Sequence, residues 1–177
     1  MKLPVISAIA VLGVLTACTP ATPFTVTGGD IQEGRFTHAQ MFKGYGCTGD
    51  NVSPYITWEG APSNVQSFAV TIFDPDAKPK GWYHWLVVDV PGSERSLAPG
   101  AGSALPLGMM QTKNDYGVAG YGGPCPPPGE DHHYLMTVYA LKVTSLHVNP
   151  AMAPADVVAK IKANAIAESH LTVKAKR

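Results

Sequence analysis

The sequence predicts an all-β, or at least β-dominated, sandwich domain. Three segments, residues 67–73, 82–90 and 134–143, are rich in the β-branched and aromatic residues that strands favour. The chain also contains 18 Gly and 16 Pro among 177 residues, which indicates many turns between short strands. A series of strands with one late helix favours layers of sheet packed on each other.

The predicted strands differ in their patterns of apolar residues. Residues 24–27 can begin a strand, and residues 55–58 form a short β-prone segment. Residues 82–90 are almost continuously apolar, which predicts burial on both faces of a sheet. In residues 134–143, Tyr134, Met136, Val138 and Ala140 alternate with the intervening side chains, so the two sets face opposite sides of the sheet.

One helix is predicted near the end of the chain. Pro154 suits a first helical turn, and Asp156 places negative charge near the helix N-terminus. The apolar side chains that share one face at helical spacing are Val157, Val158, Ile161 and Ala165.

Two segments are predicted as loops. Residues 44–54 carry turn residues without an apolar period, and residues 91–128 are rich in Gly, Pro, Ser and Ala. A structureless loop of the second length is uncommon in a compact domain and is often functional.

The N-terminus resembles a bacterial lipoprotein signal. Lys2 precedes an apolar run, residues 3–14, which is too short to span a bilayer and is typical of a secretory signal. The following Leu-Thr-Ala-Cys resembles a lipobox, which implies cleavage before Cys18 and a diacylglyceryl group on its thiol. The alternative is an ordinary signal peptide with an incidental cysteine.

This pattern divides the chain into a signal peptide (1–17), an acylated cysteine with its tether (18–23) and one domain (24–177). Thr19, rather than the Asp that retains lipoproteins in the inner membrane, follows Cys18. We therefore expect a protein anchored by lipid in the bacterial cell envelope, on the periplasmic face, with the outer membrane favoured over the inner.

Two further cysteines, Cys47 and Cys125, remain in the predicted domain. An exported protein meets an oxidising compartment, where paired thiols tend to form a disulfide. The alternative is two buried free thiols, which pack as small apolar side chains.

Charge and motifs exclude several functions. The formal net charge is zero, and no basic run is present, so a nucleic-acid partner is not expected. The sequence contains no His-Glu-x-x-His, Gly-x-Ser-x-Gly or Cys-x-x-Cys pattern, which argues against a hydrolase or a metal centre. We expect no cofactor.

Polar residues concentrate where predicted strands end. Asp74 and Asp76 follow one strand, His84 opens the next, and His132 and Tyr134 open a third. A carboxylate beside a His raises the pKa of the imidazole, and a Tyr adds a hydroxyl donor with an apolar ring. Such a set suits a phosphate, phosphonate or carboxylate group.

Each piece alone also has a structural explanation. Asp-Pro-Asp is a common turn, a His between aromatic residues is often a core residue, and His132 and His133 could form a surface pair. The joint occurrence of the pieces favours a binding site.

Several short motifs occur in a fixed order between about residues 36 and 170: Gly46–Pro54, Trp58, Gly60–Pro62, Ser67–Val70, Asp74–Ala77, Trp82–Trp85, Asn114–Gly117, Gly120–Pro127 and His132–Tyr134. In these motifs and their order, the chain resembles the bacterial Raf-kinase-inhibitor-like branch of the phosphatidylethanolamine-binding protein family.

The resemblance implies a Greek-key β-sandwich with a few peripheral helices and an anion pocket at a strand-end rim. It assigns the pocket to Asp74, Asp76, His84, Pro127, His132 and Tyr134, with Gly123 and Pro126 in its wall. Family members bind phosphate-like and phospholipid head groups, and some inhibit kinases or proteases. The pocket is not normally a catalytic centre.

Two positions depart from the family pattern. Lys78 is inserted before Pro79, where it could shift the rim loop or add positive charge at the mouth, and His133 replaces an Arg. His133 alternates with His132 and Tyr134, so the pocket pair should be unaffected.

We therefore expect a lipoprotein that binds a small anion or phospholipid head group. The alternatives are an inhibitor of a peptidase or another protein partner, with residues 91–128 as its contact surface, and, less favoured, a hydrolase.

Overall fold

A computed structural model describes residues 22–177 of the chain. The predicted signal peptide, Cys18 and most of the tether lie outside these residues. In chain order the elements are β1 (Thr25–Gly28), β2 (Lys43–Gly44), β3 (Cys47–Thr48), β4 (Ile56–Glu59), β5 (Ser67–Asp74), β6 (Trp82–Pro91), β7 (Ser96–Leu97), β8 (Met110–Gln111), β9 (Asp131–Leu141), α1 (Pro154–Asn164) and β10 (Ala165–Lys176).

The strands form a five-stranded sheet and a smaller three-stranded sheet, both antiparallel. The larger has the order β10-β9-β5-β6-β8 and the smaller the order β1-β4-β7, while β2 and β3 form a separate hairpin. The predicted β-dominated fold class is confirmed. The described residues contain one α-helix, where the resemblance implies a few.

The larger sheet is covered on both faces. Phe68, Val70 and Ile72 of β5 belong to the apolar core that also contains Ile56 and Trp58 of the small sheet. Ala69 of β5 belongs instead to a second core with the buried residues of α1, which are Val157, Val158 and Ile161. This double covering explains why β5 and β6 are apolar on both faces.

The end of α1 differs from the prediction. The helix ends at Asn164, so Ala165 does not belong to its buried face and instead begins β10. No strand is predicted from the sequence for residues 165–176, and that omission is wrong. Residues 165–176 form a long edge strand that pairs with β9.

The two predicted loops contain short strands. Residues 44–54 include part of the β2–β3 hairpin, and residues 91–128 include β7 and β8. A structureless loop over residues 91–128 is therefore wrong in part, because β8 pairs with β6 and the backbone N–H of Thr112 donates to the Leu86 carbonyl. Within residues 22–177, no helix is both long and apolar enough to cross a membrane.

Candidate functional site

A cavity of about 520 Å³ opens at one end of the larger sheet. β5 ends there at Asp74, and β6 begins there at Trp82, which pairs with Asp74 in the antiparallel register. β9 begins at the same end of the sheet. Seven of the eight predicted binding residues line the cavity: Asp74, Asp76, His84, Pro126, Pro127, His132 and Tyr134.

Asp74 is buried, and hydrogen bonds occupy both of its carboxylate oxygens. Its Oδ1 accepts hydrogen bonds from the backbone N–H groups of Asp76 (2.8 Å) and Ala77 (3.1 Å). Its Oδ2 lies 2.7 Å from Nδ1 of His132. Asp74 therefore fixes the loop after β5 and orients the His132 ring.

His132 lies between two carboxylates. Its Nδ1 bonds to Asp74, and its Nε2 lies 2.8 Å from Oε2 of Glu130. Burial disfavours charge on the ring, but the hydrogen bonds to Asp74 and Glu130 outweigh it and raise the pKa of His132 above its usual value. The raised pKa that we expect for a histidine beside a carboxylate is therefore present at His132.

His84 is in a different electrostatic environment. Its Nδ1 lies 2.7 Å from the Gly122 carbonyl oxygen, which accepts a hydrogen bond from the Nδ1–H group. The ring is buried. Burial lowers the pKa of His84, despite that hydrogen bond and the nearby charge of Asp74. The neutral ring therefore presents Nε2 as the nitrogen available to a ligand.

The Tyr134 hydroxyl is buried without a hydrogen-bond partner among residues 22–177. Burial, followed by the negative charge of Asp74, raises the pKa of Tyr134, so the phenol keeps its proton. A buried donor without a partner is costly unless a ligand or water satisfies it. The indole Nε1 of Trp82, which also lines the cavity, is unpaired in the same way within this part of the chain.

A contact between Asp76 and His133 attaches the rim loop, residues 75–81 between β5 and β6, to strand β9. Oδ2 of Asp76 accepts the backbone N–H of His133 at 2.8 Å and lies 2.9 Å from its Nδ1. The backbone hydrogen bond is the main cause of the lowered pKa of Asp76. His133 is absent from the cavity lining, while its neighbours His132 and Tyr134 both line it.

An aromatic wall completes one side of the cavity. Tyr116 stacks on Phe42, with ring centroids 4.5 Å apart and planes at 4°. Trp82 contacts Tyr116 in T-shaped geometry, and His84 contacts Tyr116 and Tyr134 in the same way.

This wall is not among the predicted binding residues. Trp82 and Tyr116 lie in the family motifs Trp82–Trp85 and Asn114–Gly117, for which the resemblance implies a pocket role only at His84. The Asn114–Gly117 motif was the one sequence feature that could have placed Tyr116 near the site. Tyr45, Lys78, Asp115 and Glu130 also line the cavity and were not predicted as binding residues.

Gly123, the eighth predicted residue, supports the wall without lining the cavity. A Cβ atom at this position would lie 2.2 Å from the Gln40 carbonyl oxygen, so only glycine permits the two backbones to approach. Its N–H donates to Oδ1 of Asn51, and its carbonyl accepts the Tyr116 hydroxyl at 3.0 Å.

A disulfide joins Cys47 to Cys125, with Cα atoms 6.0 Å apart. Of the two alternatives left open by the sequence, the structure contains the bonded pair. Cys125 lines the cavity, so this bond ties the cavity wall to strand β3.

The carboxylates around the cavity all have donors within the protein. Asp115 accepts the backbone N–H of Tyr83 at 2.7 Å, and the hydrogen bonds of Asp74, Asp76 and Glu130 are described above. Lys78 lines the mouth, and its side chain is exposed to solvent. The inserted lysine thus contributes positive charge at the rim.

Comparisons with known proteins identify the family and the fold of the chain. The sequence profile of the family described as phosphatidylethanolamine-binding protein matches residues 32–176. The chain is 41% identical to YbcL of Escherichia coli K12 over 179 residues, which covers 97% of each protein.

The crystal structure of E. coli YbcL, described as a new member of the mammalian PEBP family, aligns with a TM-score of 0.84 over 87% of this chain and 98% of that one. LppC of Mycobacterium tuberculosis, which is named as a lipoprotein, is 35% identical over 133 residues, covering 72% of this chain and 60% of its own length.

Proposed function

The chain belongs to the phosphatidylethanolamine-binding protein family, and on that premise we propose that it binds a small anionic or phosphorylated head group in the cavity at the end of β5, β6 and β9. The cavity is large enough for such a group. Binding, rather than catalysis, is the proposed role.

The unpaired Tyr134 hydroxyl carries the proposal. It is a buried donor at the cavity that forms no hydrogen bond of good geometry within the described part of the chain, although the Asp74 carboxylate is nearby, so a ligand oxygen would supply a better-placed partner. The His132 imidazole, which neighbouring carboxylates favour in its charged form, adds a cationic donor. A hydroxyl and an imidazolium together favour an acceptor with negative charge.

The acidic lining is compatible with an anion. Asp74 and Asp76 accept hydrogen bonds from backbone N–H groups and from histidines, so the protein already satisfies their negative charges. Their effect is to hold His132 and the rim loop in position. Ligand oxygens would meet the donors, and the rings of Tyr116 and Trp82 would cover the ligand's apolar part.

Isothermal titration calorimetry with phosphate, phosphoethanolamine and acetate tests the proposal. We expect saturable binding of the two phosphate compounds with one site per chain, and weaker binding of acetate, which offers fewer acceptor oxygens. An absence of heat with all three, confirmed by unchanged NMR spectra, would contradict the proposal. Turnover of a phosphate or carboxylate ester that disappears in His132→Asn would contradict the non-catalytic role.

We further propose that the domain is anchored in the cell envelope through a lipid on Cys18. The lipobox-like sequence and the likeness to LppC, which is named as a lipoprotein, support this proposal. An anchored head-group binding protein would work close to a membrane surface.

A further inference from the structure

Glu130 lies at the cavity but forms no part of the predicted site. Its carboxylate is 2.8 Å from Nε2 of His132, and its side chain is 57% exposed, whereas the side chain of His132 is 8% exposed. A partly exposed acid therefore covers the outer nitrogen of a buried imidazole.

His132 has only one nitrogen that a ligand could use. Its Nδ1 is bonded to Asp74, whose side chain is 4% exposed and is itself held by backbone N–H groups. That contact is fixed by the fold, so an anion can reach His132 only through Nε2. The Glu130 carboxylate occupies this position.

The backbone around Glu130 is held by hydrogen bonds, whereas its side chain is more than half exposed. The N–H of Glu130 donates to the Pro127 carbonyl at 3.1 Å, which closes a tight turn. Gly129 in that turn has φ +89° and donates to the Arg177 carbonyl. Rotation of the exposed side chain would uncover His132 without moving the turn.

We propose that the Glu130 carboxylate is a built-in competitor that occupies Nε2 of His132 and is displaced when an anionic ligand binds. This inference rests on the proposed function of the same site. It identifies Glu130 as a specificity residue, because a ligand binds only if its interaction with His132 exceeds that of the resident carboxylate. Weakly interacting anions, such as acetate, are excluded first.

Two substitutions at Glu130 distinguish competition by its carboxylate for Nε2 of His132 from a general effect of its negative charge on anion binding. Glu130→Ala removes the carboxylate, while Glu130→Asp keeps the negative charge and shortens the side chain by one methylene, so that the carboxylate no longer reaches Nε2. We expect both variants to bind inorganic phosphate about threefold to fivefold more tightly than the unmodified protein, the range set by a partly exposed ion pair.

Asp131→Asn is the matched control. Asp131 is the next residue, pairs with Arg35 outside the cavity and carries the same charge. Its substitution should change phosphate affinity by less than about twofold, because a screened surface charge acts only weakly at a distance. Thermal unfolding of every variant verifies that the fold is retained.

Each outcome has a definite meaning. Tighter binding by both Glu130 variants supports the competitor role. Unchanged affinity of Glu130→Asp, or equal tightening by Glu130→Ala and Asp131→Asn, overturns it and leaves the proposed function intact. Failure of every protein, including the unmodified one, to bind phosphate overturns the proposed function and this inference together.

Discussion

At the residue scale, the pKa values of the two cavity histidines are shifted in opposite directions. His132 lies between two carboxylates and has a raised pKa, whereas His84 is buried against a carbonyl group and has a lowered pKa. The neighbouring carboxylates favour the imidazolium at His132, and burial favours the neutral imidazole at His84. An anion would therefore meet one charged donor, together with the Tyr134 hydroxyl.

Tyr134→Phe should separate binding from stability. The hydroxyl has no partner in the described chain, so its removal should leave the free energy of unfolding unchanged or raise it by up to about 1 kcal/mol. Phosphate affinity should fall by about tenfold, since a hydrogen bond to a charged group is lost. Urea unfolding and calorimetry measure the two effects.

Tyr121→Phe provides the matched control, because the Tyr121 hydroxyl donates to the Gln40 carbonyl at 2.8 Å and does not line the cavity. It should destabilise the protein by about 1 kcal/mol and leave phosphate binding intact. If Tyr134→Phe lowered stability without affecting phosphate binding, and Tyr121→Phe weakened phosphate binding, Tyr134 would not be the ligand donor.

The affinity for an anion of constant charge, such as sulfate, should decrease as pH rises above about 6.5, the usual histidine value. The raised pKa of His132 means that the cation persists below that pH and is lost as pH rises through the folded-state value. His84, whose pKa is lowered, is already neutral in this window. Calorimetry across the range measures the decrease.

His132→Asn should flatten this pH profile, while His133→Gln, outside the cavity lining, should retain it. An affinity that is constant or increases with pH in the unmodified protein would show that His132 does not supply the charge.

Some of these residue properties could be predicted from sequence and others could not. The alternation of His132, His133 and Tyr134 follows from strand geometry, and the structure places the middle residue off the cavity as predicted. The lowered pKa of His84 depends on burial and on the Gly122 carbonyl, which is 38 residues away in the chain. A contact between residues so far apart in the chain leaves no pattern in the local sequence.

At the element scale, antiparallel pairing brings the site together. The end of β5 necessarily adjoins the beginnings of its neighbours β6 and β9, so polar residues at those three ends meet at one rim. Strong strand patterns therefore made the position of the site predictable. The wall formed by loop residues, such as Tyr116 and Phe42, depends on long-range stacking that these patterns do not encode.

β10 is the element that sequence reasoning missed. Leu171, Val173 and Ala175 alternate with polar residues, which is a strand signal that could have been used. The three alanines among residues 163–167 are compatible with a continued helix and obscure the boundary. Pairing with β9 decides in favour of the strand.

Replacing both Cys47 and Cys125 with Ser should lower the free energy of unfolding by about 2–4 kcal/mol, because the bond closes a loop with a sequence separation of 78 residues. Phosphate affinity should also fall, since Cys125 lines the cavity. Urea unfolding with and without a reducing agent measures the first effect. Equal stability of the oxidised protein and the variant would contradict a structural role for the bond.

At the scale of the whole molecule, the two faces of the larger sheet are packed and its end carries the site. The small sheet covers one face and α1 covers the other, so the cavity is held by a core on both sides. Binding groups supported in this way lose little conformational entropy when a ligand enters. The strand patterns of the sequence predicted the layered fold, while the proposed attachment to a membrane rests on residues outside the described range.

Cys18→Ser should release the exported protein from the membrane fraction, because a thiol is required for lipid attachment. Metabolic labelling with radioactive palmitate should mark the unmodified protein and not the variant. Cys47→Ser is the control, and it should remain labelled and membrane-associated. Equal membrane association of Cys18→Ser would contradict the anchor.

The most direct measurement is an NMR titration of the histidine ring nitrogens with phosphoethanolamine. We expect saturable shifts for His84 and His132 at one ligand per chain, while the exposed rings of His38, His147 and His170 remain unchanged. Shifts confined to the three exposed rings, or no shifts at saturating ligand, would contradict a head-group site at the end of the sheet.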